Sequence, residues 1–181
     1  AHKIGTSQQD DVLIYKENDT EFNIFLTKSR SEKFIYINID STNSNEIRLI
    51  DTSKPIDQPM IFIERDENHL YELEHAPDNS FYVRSNLNAP NYKIYRVADL
   101  DKINLSKNEN IINHNKDVFI SDHLIFEDYL ILEVRENGLP GLHKVNLMDK
   151  SVSKIEFNDE SYYVSLSYNY DLNDQNFYYS Y

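Results

Sequence analysis

"ILEVRENGLPGLHKVNL", residues 131–147, places two of the chain's three glycines, Gly138 and Gly141, between two runs of alternating apolar character. Alternation marks half-buried strands, and a short glycine-bearing connection between two of them marks a β-hairpin. The fold then turns on what larger object this hairpin belongs to.

The same pattern recurs along the chain with polar breaks between the runs. A first group reads "DVLIYKE" (11–17), "FNIFLTK" (22–28), "KFIYINI" (33–39) and "EIRLID" (46–51). Successive side chains of a strand point to opposite faces, so Phe22, Ile24 and Leu26 are expected on one face, as are Ile35, Ile37 and Ile39. A second group holds "MIFIER" (60–65), "HLYELEH" (69–75), "SFYVRSN" (80–86) and "YKIYRV" (92–97), with the Pro55 and Pro59 segment as the connector before it. The third holds "DHLIFE" (122–127), "YLILEVRE" (129–136), "LHKVNL" (142–147) and "VSKIEF" (152–157). "YYVSLSY" (162–168) and "NFYYSY" (176–181) begin a fourth, and only 97–110 offers a helical turn or two.

Four strands per unit, at a period of about 45 residues, is how a β-propeller blade looks in sequence. A β-sandwich with regular turns gives a similar pattern. The chain has no Trp and three Gly, which removes the Trp-Asp and kelch blade signatures. The expected fold is all-β: a partial β-propeller of antiparallel four-stranded blades in groups 11–51, 60–97 and 122–157, with a partial group 162–181.

Composition bounds the function. The 181 residues suffice for a real core, and 40% hydrophobic with 13% aromatic content excludes a disordered chain. Eighteen Lys plus Arg against 31 Asp plus Glu leave a net charge of −13. That charge repels phosphate backbones and anionic lipid, so neither nucleic acid nor a membrane surface is an expected partner; basic peptides or proteins are compatible with it, and a solvated surface accounts for most such charge. The absence of cysteine removes disulfides and thiolate chemistry and agrees with a reducing compartment. No run approaches a membrane span, and the amino end has no signal-peptide core. The lone Ala1 without Met reads as an added residue ahead of the interior of a longer protein.

The ordered set "HKIGTSQQDDVLIYKENDTEFNIFLTKSRSEKFIYINI" (2–39), "NEIRLID" (45–51), "YELEHAPDNSFYVRSNLNAPNYKIYRV" (71–97) and 131–147 resembles the propeller of the prolyl oligopeptidase family, in its oligopeptidase B (protease II) branch. The resemblance implies a seven-bladed propeller, of which this chain is about three and a half blades, joined to an α/β-hydrolase domain with a Ser-Asp-His triad. It further implies a cytoplasmic parent enzyme that cleaves after Arg or Lys. The propeller covers the active site there and admits only short peptides. The resemblance also implies that the outer blades of such an arc lack partners, so self-association is expected through faces bearing Phe22, Ile24, Tyr162 and Val164.

The residues themselves offer no chemistry. A hydrolase nucleophile sits on a Gly-x-Ser-x-Gly elbow, and "GTSQQ" (5–9) has no second glycine. His2, His69, His75, His114, His123 and His143 show no metal-ligand spacing and read as surface or hydrogen-bonded groups; no cofactor and no metal is expected. Asp10-Asp11 and "DLD" (99–101) lack the order of a calcium loop. The abundant Tyr and Phe suit packing between sheets. Arg65, Arg84, Asn86 and Arg135 interrupt apolar strands; each pairs with a neighbour or contacts the catalytic domain as an interdomain or gating residue. A free-standing binding module for a peptide, protein or sugar is the alternative; a small all-β enzyme has no motif behind it.

Overall fold

A computed structural model describes residues 1–181 as three four-stranded antiparallel sheets in chain order and one short strand pair. The first sheet joins β1 (Asn23–Lys28), β2 (Phe34–Asp40), β3 (Asn45–Asp51) and β4 (Met60–Ile63). The second joins β5 (Tyr71–His75), β6 (Phe81–Ser85), β7 (Lys93–Val97) and β8 (Glu109–Ile112). The third joins β9 (Val118–Ile125), β10 (Tyr129–Glu136), β11 (Leu139–Asn146) and β12 (Val152–Ile155). β13 (Ser165–Leu166) pairs with β14 (Tyr179–Ser180). Every sheet runs from strand to sequence neighbour, the order of a propeller blade. Two 3₁₀ turns, Gln8–Asp10 and Leu100–Lys102, are the helical content, and no helix is long and apolar enough to cross a membrane.

The chain divides into two compact units, Ala1–His69 and Leu70–Tyr181. In the second unit, Leu130, Leu132 and Val134 of β10 join Tyr82, Ile94 and Ile111 of the preceding sheet in one core. Tyr129 and Ile131, on the opposite face, join Phe126, Leu142 and Val164 in another. The third sheet is therefore covered on both sides, which is why β10 reads as "YLILEV" instead of alternating with polar residues. Aromatic rings fill the second core, with Phe126 stacked on Tyr129 at 4.5 Å and Phe157 tilted against Tyr162 at 4.9 Å.

In the first unit, Ile37, Ile39 and Ile50 form a core on which Ile14, Tyr15, Phe22 and Ile35 pack. The expected shared face of Phe22, Ile24 and Leu26 is not a buried one. Phe22 packs, but Ile24 and Leu26 on the edge strand β1 are 45% and 66% exposed. Of the residues expected on exposed blade faces, Val164 is buried, Phe22 and Tyr162 are half-buried, and Ile24 is exposed.

The blade boundaries differ from the sequence grouping by one strand. Residues 11–17 form no strand, so the first sheet spans 23–63 and not 11–51. Of their apolar run only Ile14 and Tyr15 pack on the sheet face, while Val12 and Leu13 stay exposed, so the apolar signal arises without a ladder. Met60–Ile63 closes the first sheet instead of opening the second, and Pro55 lies in a turn within the blade, between the Lys54 N–H to Asp51 O and Asp57 N–H to Lys54 O bonds. The second sheet thus spans 71–112, not 60–97. Its last strand was hidden because "ENII" carries only two apolar residues after a polar link. The third sheet begins at Val118, ahead of residue 122.

The β10–β11 hairpin is tighter than its two glycines suggest. Its turn is Asn137-Gly138 alone, with φ of 52° and 82°, the doubly left-handed pair that matches strand twist. Gly141 lies within β11 opposite Val134, and an added Cβ would meet Val134 Cγ2 at 3.6 Å, an ordinary contact. Gly138→Ala is expected to lose about 1–2 kcal/mol, the cost of a side chain in the left-handed region. Gly141→Ala is expected to be neutral, or stabilising by about 0.4–1 kcal/mol through the unfolded chain. Paired urea titrations check the contrast; equal losses in both would refute the turn assignment.

Candidate functional site

Within residues 70–181, β5 and β6 lie against β9, and the seam between them gathers charged groups around Arg84. Arg84 is buried, as its place in the middle of the fully buried β6 requires. Its Nη2 stands 2.7 Å from Glu72 Oε1 and its Nε donates to Glu72 Oε2 at 3.2 Å. Nη1 donates to the Ile120 carbonyl at 3.1 Å, and the guanidinium lies 4.1 Å over the Tyr92 ring. Three of the group's faces are thus used, and a planar fork with five donors suits that better than an ammonium.

β9 answers with its own polar groups. His123 Nε2 is 3.2 Å from the Tyr82 carbonyl, and Glu74 Oε2 accepts the Ile125 N–H at 2.5 Å. Glu72, Asp122 and His123 each bring one ligand-type atom within 4.8 Å of the others. Asp122 Oδ1 also accepts the His123 N–H at 2.6 Å. Asp122 keeps part of its surface open to solvent, yet the protein packed around its carboxyl desolvates it. That raises its pKa above the usual range, against the opposing pull of His123.

Two clefts flank this seam in the same unit. One of about 440 Å³ is lined by Tyr82, Arg96, Glu109, Phe126 and Glu127. Arg96 bonds Asp78 at 2.7 Å, and Lys150 bonds Glu109 at 2.8 Å, which ties the third sheet's last turn to β8. Burial pushes the Tyr82 hydroxyl up to about 12. The other, of about 400 Å³, is lined by Ile112, Val118, Leu132, Glu136, His143 and Lys154. His143 Nε2 lies 3.8 Å from Glu136 Oε2, and burial lowers the imidazole's pKa.

The other sequence candidates lie apart. Arg65, in the first unit, pairs with Glu17 at 2.7 Å and covers Phe22 at 4.1 Å. Asn86 closes the β6 end: its Oδ1 accepts the Leu70 N–H at 2.8 Å while its own N–H donates to Leu70 O at 3.1 Å. Arg135 stands exposed near the end of β10, opposite Phe119 and Pro140. Of the six histidines, His2 and His114 are exposed, while His69, His75, His123 and His143 are buried, His123 with a ring nitrogen at hydrogen-bond distance from the Tyr82 carbonyl. Sequence spacing did not reveal the Glu72, Asp122 and His123 grouping because Glu72 lies on β5 while Asp122 and His123 lie on β9. The blade period could have found it, since residues about one repeat apart fall on neighbouring first strands.

Residues 1–181 match the family described as prolyl oligopeptidase, N-terminal β-propeller domain, from end to end. The chain belongs to that family. It is 31% identical over 175 residues to Protease 2 of Moraxella lacunata, covering 96% of this chain and 24% of that protein. Dipeptidyl aminopeptidase BI of Pseudoxanthomonas mexicana is 29% identical over 170 residues, covering 93% and 23%. Among solved structures, oligopeptidase B from Trypanosoma brucei, in a closed form with covalently bound antipain, superposes with a TM-score of 0.84 at 21% identity, over 96% of this chain and 26% of that one. Oligopeptidase B from Leishmania major gives 0.79 at 19% identity, over 91% and 24%. This propeller chain spans about a quarter of the length of the relatives it matches.

In the propeller, Arg84 and Glu17 carry separable predictions. Arg84→Ala leaves Glu72 and the Ile120 carbonyl without their donor, and is expected to cost about 1.5–3 kcal/mol, the range for hydrogen bonds to charged groups. Arg84→Lys should recover only part of that loss in chemical denaturation; full recovery would mean the fork geometry is irrelevant.

Glu17 accepts the Tyr15 hydroxyl at 2.6 Å and two backbone N–H groups at 2.9 Å each. The Tyr15 hydrogen bond first, then the Asp19 N–H, draw its pKa from 4.5 down to about 2. A depressed acid stabilises the fold above its unfolded value and loses that contribution as pH falls through the folded one. Glu17→Gln should therefore be less stable than the native chain above 4.5, with the gap closing as pH falls toward about 2. A gap that stays constant across this window would refute the role of the charge.

Proposed function

We propose that this chain is the non-catalytic propeller portion of a cytoplasmic serine oligopeptidase of the oligopeptidase B type. The end-to-end match to the family's N-terminal propeller, together with the likeness to Protease 2, carries the reading. Its partner is the α/β-hydrolase domain of the same polypeptide, and the propeller covers that domain's active site so that short peptides enter and folded proteins do not. The parent cleaves after Arg or Lys; a net charge of −13 on the cover favours approach of basic peptides. The absence of cysteine is consistent with the cytoplasm. Arg135 is the exposed candidate for a contact with the catalytic domain, whereas Arg65, Arg84 and Asn86 have partners within the propeller.

The test uses the full-length gene product beside this chain, with a fluorophosphonate probe and Arg-containing peptides of increasing length. The full-length protein is expected to take up the probe at one serine and to cleave short peptides only. This chain is expected to take up none, because it has no Gly-x-Ser-x-Gly elbow. Stoichiometric labelling of this chain would overturn its non-catalytic role. Equal cleavage of short peptides and folded proteins by the parent would overturn the gating.

A further inference from the structure

We propose that Glu72, Asp122 and His123 form a binding site for a divalent transition-metal cation at the seam between β5 and β9. His123 is 4% exposed, and its Nε2 faces the Tyr82 carbonyl at 3.2 Å. A carbonyl oxygen can only accept, so Nε2 carries the ring proton of the neutral imidazole and the lone pair resides on Nδ1. Nδ1 is buried and has no hydrogen-bond partner. Metal-ligating histidines are held this way, one ring N–H fixed by a carbonyl and the other nitrogen free for the ion.

The two carboxylates supply what the imidazole lacks. A ligand atom from each of the three side chains lies within 4.8 Å of the other two. Atoms bound to zinc at about 2.0–2.2 Å in tetrahedral geometry stand about 3.5 Å apart, so a closure of about 1 Å completes the site. Glu72, with 55% of its side chain exposed, has the freedom to make it. Asp122 uses Oδ1 for the His123 N–H, leaving Oδ2 for the ion. Glu72 keeps lone pairs beyond those used by Arg84, because a carboxylate offers about four acceptor positions.

Arg84 offsets one of the two negative charges and so weakens the site; three protein ligands leave the fourth tetrahedral position to water. An imidazole with two carboxylates favours Zn²⁺ or Co²⁺ over Mg²⁺ and Ca²⁺, which take oxygen ligands.

Calorimetric titration of the chain with Zn²⁺ and with Mg²⁺ is the test, alongside ¹⁵N spectra of the histidine rings. The expected result is one equivalent of Zn²⁺ bound and no heat with Mg²⁺, with His123 as the Nε2–H tautomer and its Nδ1 resonance shifted by the ion. His123→Gln and Asp122→Asn should each weaken Zn²⁺ binding by more than about tenfold, since even outer partners of a metal ligand cost 10–100-fold. His2→Gln and His114→Gln, at exposed positions, should leave it unchanged. If the buried substitutions unfold the chain, Glu72→Gln at the exposed ligand and the ring spectra of the native chain decide. Unaltered Zn²⁺ affinity in Glu72→Gln or His123→Gln, or a proton found on Nδ1, overturns the site.

Discussion

The packing of β10 on both faces is the constraint from which the rest of residues 70–181 follows. Tyr129 and Ile131 enter one core while Leu130, Leu132 and Val134 enter the other, so both faces of the strand's first half are covered. Burying a large apolar side chain contributes about 1.5–3 kcal/mol, and β10 does this at five of its first six positions. Such a strand is stable only with a layer on each side. The β5–β8 sheet supplies one layer, and the segment bearing Val164, Phe157 and Tyr162 supplies the other. Stacked antiparallel sheets with apolar faces on both sides are the propeller's solution to that requirement, and this chain follows it.

A sheet stacked in this way meets its neighbour along first strands whose outer edges have no ladder partner. The Arg84 seam shows how those edges are handled. One guanidinium takes a carboxylate from β5, a carbonyl from β9 and an aromatic face, and so joins two sheets through a single side chain. Removing it would strand partners on both sheets, whereas the paired cleft residues Arg96 and Lys150 are more exposed and contribute less.

The β class and the four-strand period were legible because burial on one face imposes alternation and burial on both imposes apolar runs, and both survive in sequence. Strand membership was less so. Residues 11–17 read as a strand because of their apolar run, yet Ile14 and Tyr15 pack against Ile37 and Ile39 without joining a ladder. β8 was the reverse case, a paired strand with too few apolar residues to announce itself. The polar candidates were found as interruptions in apolar strands, and Arg84 is one whose seam partners, Glu72 and Ile120, lie on two other strands. The grouping of Glu72 with Asp122 and His123 was invisible, since sequence spacing records contacts along one element and not between β5 and β9.

Carboxylates tie successive sheets together at the same kind of point. Ile125 on β9 is wholly buried, and its N–H faces away from β10, so it requires an acceptor from outside its sheet. Glu74 of the preceding sheet provides one at 2.5 Å. One sheet further on, Glu133 of β10 accepts the Leu166 N–H on β13 at 2.9 Å while its other oxygen accepts the Ser121 hydroxyl at 3.0 Å. In each case an acidic side chain of one sheet satisfies the free edge of the next strand pair or sheet. That edge would otherwise template pairing with a second chain. Part of the chain's acidity therefore has a structural origin. Glu74 and Glu133 hold the spacing between sheets through directed bonds to backbone N–H groups, a register that apolar packing alone leaves free to slide.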